Sequence, residues 1–426
     1  MRFILSPGLS AFLHKGDGAG GPKLAIQIRI TASTAGRTKI NLVLHAHEIR
    51  FNIRMVDAFS HCLCPALALW YLKLSQKPCK PLDFKDCRSI VNRFKRKLNM
   101  KVLITGRLPE DILADIETAH EVVRNRKDRP LPREQLLEQI EEKDGLLCMI
   151  TDTVDTKLLQ RAPGLKIIAN YGVGFNNIDV GAATDRGIPV TNTPGVLTAA
   201  TADITFALIL AAGRRVVEGD RYTREGRFQF WAPLHFLGSE INGKTLGIIG
   251  MGRIGKAVAQ RAAGFDMEIL YTGRSRLPAA AESRYKAAYT DMDTLLARSD
   301  FISLHVPLNE QTRHLIDANA INRMRPEAFL INTSRGPVID EAALCEALKT
   351  GRIRGAGLDV YENEPAITPG LLELDNVVLL PHVGSATIET RTKMARMAAD
   401  NLLAGLSGQK PPNCLNWDTL CDKRPP

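Results

Sequence analysis

Between residues 100 and 426 the chain carries five histidines: His120, His235, His305, His314 and His382. His382 stands just past an apolar run, in "NVVLLPHVGSAT" (residues 376–387). An imidazole at such a strand end can donate a proton near neutral pH, which the reduction of a ketone to an alcohol requires. His305 lies inside "FISLHVPL" and is expected to be buried and structural. His120 and His314 sit in polar surroundings and are expected at the surface, and His235 belongs to the loop "FWAPLHFLG". A carboxylate beside His382 would favour the imidazolium and fix the ring. The run "DVYENEP" offers three: Asp359, Glu362 and Glu364. Arg335, in "INTSRG", also follows an apolar strand, and its planar, permanently charged guanidinium suits a substrate carboxylate.

The elements that must hold these groups can be read from the segment "TLGIIGMGRIGKAVAQRA" (residues 245–262). Leu246, Ile248 and Ile249 form the short apolar run of a buried parallel strand. Gly250, Gly252 and Gly255 follow at G-x-G-x-x-G spacing, around Met251, Arg253 and Ile254. That spacing gives a tight turn, a bare backbone for a pyrophosphate and close helix–strand packing. Ile254, Val258 and Ala262 then mark the inner stripe of a helix whose N-terminus faces the phosphates. This is a dinucleotide site. The next strand ends in "YTGRSR", with Gly273, Arg274, Ser275 and Arg276 where a site for NAD usually places Asp or Glu. Two guanidinium groups and a hydroxyl suit a 2′-phosphate, so NADP(H) is the expected cofactor and NAD(H) the weaker option.

Strand-like and helix-like segments alternate from Met100 onward, the pattern of an α/β protein with parallel sheets. The segment "TAATADITFALILAAGRR" (residues 198–215) is long, apolar and suited to a helix linking two lobes. The net charge of +10 is not a nucleic-acid signal. Residues 1–99 hold 17 Lys and Arg against 5 Asp and Glu, while the remainder holds 39 against 41. The body is near neutral and no basic footprint for nucleic acid stands out. The longest apolar run, "CLCPALALWYL" (residues 62–72), is too short for a bilayer, which needs about 20 residues. Eight scattered cysteines fit reduced thiols in a cytoplasmic protein, and "HCLC" (residues 61–64) lacks the second pair that a zinc site would need. No metal site is expected. Residues 1–99 show no sustained period and are expected to be a basic, poorly ordered extension outside the enzyme fold.

Several further stretches complete a pattern: "NYGVGFNNID", "TNTPGVLTAATAD", "HVPLNEQTRHLI", "INTSRGPVIDEAAL", "GAGLDVYENEP" and "LLPHVGSAT". With the glycine fingerprint, residues 100–418 resemble the D-isomer-specific 2-hydroxyacid dehydrogenase family, most of all its glyoxylate reductase/hydroxypyruvate reductase branch. The resemblance implies two Rossmann-like, doubly wound parallel-sheet domains with the active-site cleft between them. Residues 100–199 with 386–418 would form the substrate-binding lobe, and residues 200–385 the dinucleotide-binding lobe. It also implies Arg335, Glu364 and His382 as the catalytic trio. The backbone N–H groups of Val173 and Gly174 would hold the substrate carboxylate opposite Arg335, with Thr151 lining the same pocket. Pro307, Thr333, Ser334, Asp359 and Gly384 would border the cofactor, Asp359 at its nicotinamide end. The implied reaction is NADPH-dependent reduction of a short 2-oxoacid by a homodimer, with Trp231 in a loop that reaches the partner subunit. A dehydrogenase for D-lactate or phosphoglycerate, and a dinucleotide-sensing corepressor, are the competing readings.

Overall fold

The computed structural model describes residues 99–422 and, upstream, the backbone of three strands, β1 (Ser10–Phe12), β2 (Ala25–Ala32) and β3 (Thr38–His45). The chain divides into two units, Met1–Ile90 and Val91–Pro426. In the first, the three strands form an antiparallel sheet, with β2 and β3 paired from Ala25↔His45 to Ala32↔Thr38. The regular pairing differs from the expectation of a segment without period. Ile26, Ile28 and Ile30 alternate with polar residues over a stretch just long enough for one hairpin arm. The "HCLC" run lies outside the described residues.

The second unit holds two parallel sheets. The smaller contains β4 (Lys101–Ile104), β5 (Glu121–Arg124), β6 (Gly145–Met149), β7 (Ile167–Tyr171) and β8 (Val190–Thr191), in the order β5-β4-β6-β7-β8. The larger contains β9 (Thr245–Ile249), β10 (Glu268–Thr272), β11 (Ala287–Tyr289), β12 (Phe301–Leu304), β13 (Phe329–Asn332), β14 (Gly355–Leu358) and β15 (Val377–Leu379). Its order is β11-β10-β9-β12-β13-β14-β15, so the winding reverses between β9 and β12. Ligands of doubly wound sheets collect beyond the carboxyl ends of the strands at that reversal. The central strands are buried on both faces, which explains why β9 and β12 read as apolar runs rather than alternating ones.

Two helices tie the architecture together. Thr198–Gly213 is largely apolar, and its Ala202, Phe206, Leu208, Ile209 and Ala212 are buried in the core of the larger sheet. Ile388–Leu406 returns to the smaller sheet, where Met394, Ala395, Ala398, Ala399 and Leu402 pack with Val102, Ile104, Leu147 and Ile167. It begins at Thr387, whose side chain accepts from the Thr390 N–H and satisfies an otherwise orphaned donor. Beyond it, Leu415 N–H donates to Val190 O at 2.8 Å, so the C-terminal segment closes the β8 edge.

Candidate active site

The three glycines after β9 each meet a different geometric demand. Gly250 has φ +101, a conformation that side chains rarely adopt, and a Cβ there would lie 2.5 Å from His305 O. A Cβ on Gly255 would collide with Gly250 O. A Cβ on Gly252 would meet nothing within 4 Å, and the residue is exposed. The bare backbone therefore opens onto free space at the N-terminus of the helix Arg253–Ala262. That cradle fits the pyrophosphate of a dinucleotide. Met251 is buried behind it, while Arg253 is exposed and Ile254 half-buried.

In the turn after β15, His382 Nδ1 lies 2.9 Å from Glu364 Oε2. The other Glu364 oxygen accepts from the Tyr361 N–H at 3.0 Å. Burial pushes the Glu364 carboxyl up, but the His382 hydrogen bond and charge, the Tyr361 amide and Arg335 outweigh it, and the net direction is downward. The group is held as a carboxylate. His382 itself takes φ +54, a left-handed conformation that costs about 1–2 kcal/mol for a residue with a side chain. Asp359 secures this turn by accepting from the Val383 and Gly384 N–H groups, both at 2.7 Å. Burial raises the pKa of Asp359 despite those two bonds. Underneath, Thr201 Oγ1 donates to Gly384 O at 3.1 Å, and the hydroxyls of Thr205 and Thr333 meet at 2.9 Å. Ser334 turns back onto Asn332 Oδ1 at 2.8 Å, and Pro307 is exposed after β12.

Arg335 reaches from the larger lobe to the smaller one. Its Nε donates to Asn176 Oδ1 at 3.0 Å, and Nη1 donates to Ser334 O at 2.7 Å. Nη2 comes so close to Gly174 that a Cβ there would overlap it. Burial draws the guanidinium below its ordinary pKa, and Glu364 opposes that. Among the described residues, no hydrogen bond takes up the N–H groups of Val173 and Gly174. Their carbonyls, by contrast, accept from Asn192 Nδ2 and Asn170 Nδ2, each at 2.8 Å. Thr151 is exposed in the turn after β6, next to the buried Asp152, which accepts from Thr105 Oγ1 and from the Met149 N–H. His382, Glu364, Arg335 and two open backbone donors thus surround one cleft between lobes. Such a set can hold a carboxylate and pass a proton.

A family model described as the NAD binding domain of D-isomer specific 2-hydroxyacid dehydrogenase matches residues 206–384. A glyoxylate reductase of Thermococcus litoralis is 52% identical over 329 residues, which span 76% of this chain and 99% of that protein. The chain belongs to the D-isomer-specific 2-hydroxyacid dehydrogenase family. A glyoxylate reductase of Pyrococcus furiosus is 47% identical over 76% of this chain and 98% of its own. Among solved structures, a Thermus thermophilus protein superposes with a TM-score of 0.69 at 44% identity, covering 74% of this chain and all of that one. An NADPH-dependent glyoxylate/hydroxypyruvate reductase of Sinorhizobium meliloti, in complex with NADP and malonate, gives 0.67 at 33% identity over 74% of this chain and 97% of its own. This chain is accordingly an oxidoreductase of the glyoxylate reductase branch that uses a nicotinamide dinucleotide to reduce a 2-oxoacid.

Elsewhere in this dehydrogenase the structure departs from the sequence expectations. Arg276 is not a free arm: its Nε and Nη2 pair with both oxygens of Glu282 at 2.9 Å, and Tyr271 Oη donates to Glu282 at 2.6 Å. Arg274 and Ser275 are exposed at the β10 tip beside Gly273 and form no described ion pair. His120 is buried rather than at the surface. His314 is partly exposed and joins Glu362 Oε1 at 2.6 Å. His305 is half-buried where full burial was expected, with Nε2 on Ser303 Oγ at 2.8 Å, and burial of the ring pulls its pKa down to about 3. It is a neutral structural residue. The groups that the sequence reading passed over are Asn170, Asn176 and Asn192, together with Thr201 and Thr205 on the long helix.

Proposed function

We propose that the protein is an NADPH-dependent reductase of short 2-oxoacids, glyoxylate and hydroxypyruvate foremost, working as a homodimer in the cytoplasm. The observation that carries this reading is that Arg335, packed against Gly174, interacts electrostatically with the Glu364 carboxylate that pairs with His382, in a chain that also carries the glycine cradle. Arg335 and the two amides grip the substrate carboxylate, and Arg335 polarises the adjacent carbonyl. A bound nicotinamide supplies the hydride at C2. His382 gives its proton to the developing alkoxide, and Glu364 holds the ring through Nδ1 so that Nε2 is left for the substrate. In the reverse direction His382 accepts the proton.

Arg274 and Ser275 are the groups that favour a 2′-phosphate, because Arg276 is already paired with Glu282. The loop after the helix Val216–Arg224 supports a homodimer. There Trp231 is 80% and Leu234 83% exposed, with Phe228 and Phe230 beside them. A lone monomer rarely leaves such a cluster in water. The free thiols of Cys148, Cys345, Cys414 and Cys421 suit a reducing compartment.

The test is oxidation of NADPH and of NADH with glyoxylate, hydroxypyruvate and pyruvate. Turnover is expected to be fastest with NADPH and either of the first two acids. Arg274→Ala is expected to raise KM for NADPH about tenfold and to leave KM for NADH within about twofold, the loss of one charge-assisted phosphate contact. Absence of any 2-oxoacid-dependent oxidation would instead leave a dinucleotide-sensing protein.

A further inference from the structure

Two backbone amides serve an anion only if their peptide planes cannot turn away when the site is empty. The Gly174 N–H and the Val173 carbonyl are opposite ends of one peptide group. Asn192, buried just past β8, donates from Nδ2 to that carbonyl at 2.8 Å. Asn192 is itself anchored, because its carbonyl accepts from Asn401 Nδ2 at 3.1 Å and its N–H donates to Asn413 O at 3.3 Å. The peptide that carries the Val173 N–H is fixed in the same way, since Gly172 O accepts from the Thr193 N–H at 2.9 Å. Both planes are therefore clamped at their carbonyl ends, and neither N–H has a hydrogen-bond partner among the described residues.

We infer that Asn192 is a positioning residue for 2-oxoacid recognition: it orients the Val173–Gly174 peptide group and strengthens its N–H as a donor to the substrate carboxylate. The inference rests on the reading that this dipeptide takes the carboxylate. A hydrogen bond to a peptide carbonyl polarises the whole amide, so donation at the oxygen makes the N–H at the far end a better donor. A plane fixed before binding also needs no reordering when substrate arrives. The support comes from the helix Ile388–Leu406 through Asn401, so that helix is linked to the Val173 carbonyl through two amide side chains.

The experiment compares Asn192→Ala with the parent and with Arg335→Lys, using oxalate as a non-reducible probe in the presence of NADPH. Asn192→Ala is expected to weaken oxalate about five- to twentyfold and raise KM for glyoxylate by the same factor, the loss of one buried hydrogen bond and its polarisation. The kcat and the NADPH dissociation constant are expected to stay within about threefold. A residue that only stabilises the fold would lower Tm and leave oxalate affinity alone. In the unmodified full-length protein, oxalate is also expected to shift the Gly174 amide and Asn192 side-chain amide resonances together, a readout that needs no variant to fold. Unchanged oxalate affinity in Asn192→Ala, with a loss in Arg335→Lys, overturns the inference and leaves the function standing. So does a Gly174 shift with Asn192 unmoved. If Arg335→Lys also binds oxalate as the parent does, the carboxylate reading itself falls.

Discussion

Replacing His382 with alanine is expected to lower kcat for glyoxylate reduction by about 10²–10⁴-fold, the span that general acid–base catalysis covers. The NADPH dissociation constant should barely move, because in the proposed mechanism the ring meets the acid while the glycine loop holds the cofactor's phosphates. The structure makes the effect specific to the side chain. The left-handed turn at His382 is held by Asp359 through the Val383 and Gly384 amides, and those bonds survive truncation of the ring. Steady-state rates with both substrates saturating, beside NADPH binding followed by fluorescence, check it. Glu364→Gln should reproduce part of the loss, since the amide still meets Nδ1 but carries no charge.

Arg335→Leu is expected to cut kcat/KM for glyoxylate on the order of 10³-fold, with most of the loss in KM. In the proposed mechanism the change removes the charged partner of the substrate carboxylate, and charge-assisted contacts are about twice as strong as neutral ones. Arg335→Lys should recover only part of this, because an ammonium keeps the charge without the planar fork. The substitution also deletes the bond from Nε to Asn176 that joins the two lobes, so a modest fall in Tm should accompany it. Rates with hydroxypyruvate should fall in parallel, as both acids present the same carboxylate. A loss confined to NADPH binding would place Arg335 elsewhere in the mechanism.

The glycine loop is readable from sequence because Gly250 and Gly255 exclude a Cβ by backbone conformation and close backbone approach, while Gly252 opens onto free space. His382 and Arg335 stand out from sequence because they follow separate apolar strands downstream of one dinucleotide fingerprint, where the ligands of a doubly wound sheet collect. Which carboxylate serves which partner was not readable from the residues alone. In "DVYENEP" the three acids divide their work by direction: Asp359 turns to the loop amides, Glu362 to His314 and Glu364 to His382. Linear spacing after a strand end carries no such direction. The Arg276–Glu282 pair was hidden likewise, because it spans a turn into the helix Ala279–Tyr285 rather than one face of a helix. Asn170 and Asn192 did leave a signal, an amide at the end of an otherwise apolar strand. Their partners are carbonyls of a loop whose shape only the fold supplies. The upstream strands were missed because their alternation is short and their pairing is with each other.

Hydride is expected to pass directly between a cofactor on the Gly250–Gly255 loop and an acid held at Arg335, Val173 and Gly174. NADPH deuterated at the reactive ring carbon, oxidised by the full-length enzyme in ordinary water with glyoxylate, tests this by mass spectrometry of the product. One deuterium per NADPH consumed should appear on C2 of glycolate. Unlabelled glycolate, or NADPH consumed with no glycolate formed, would contradict it.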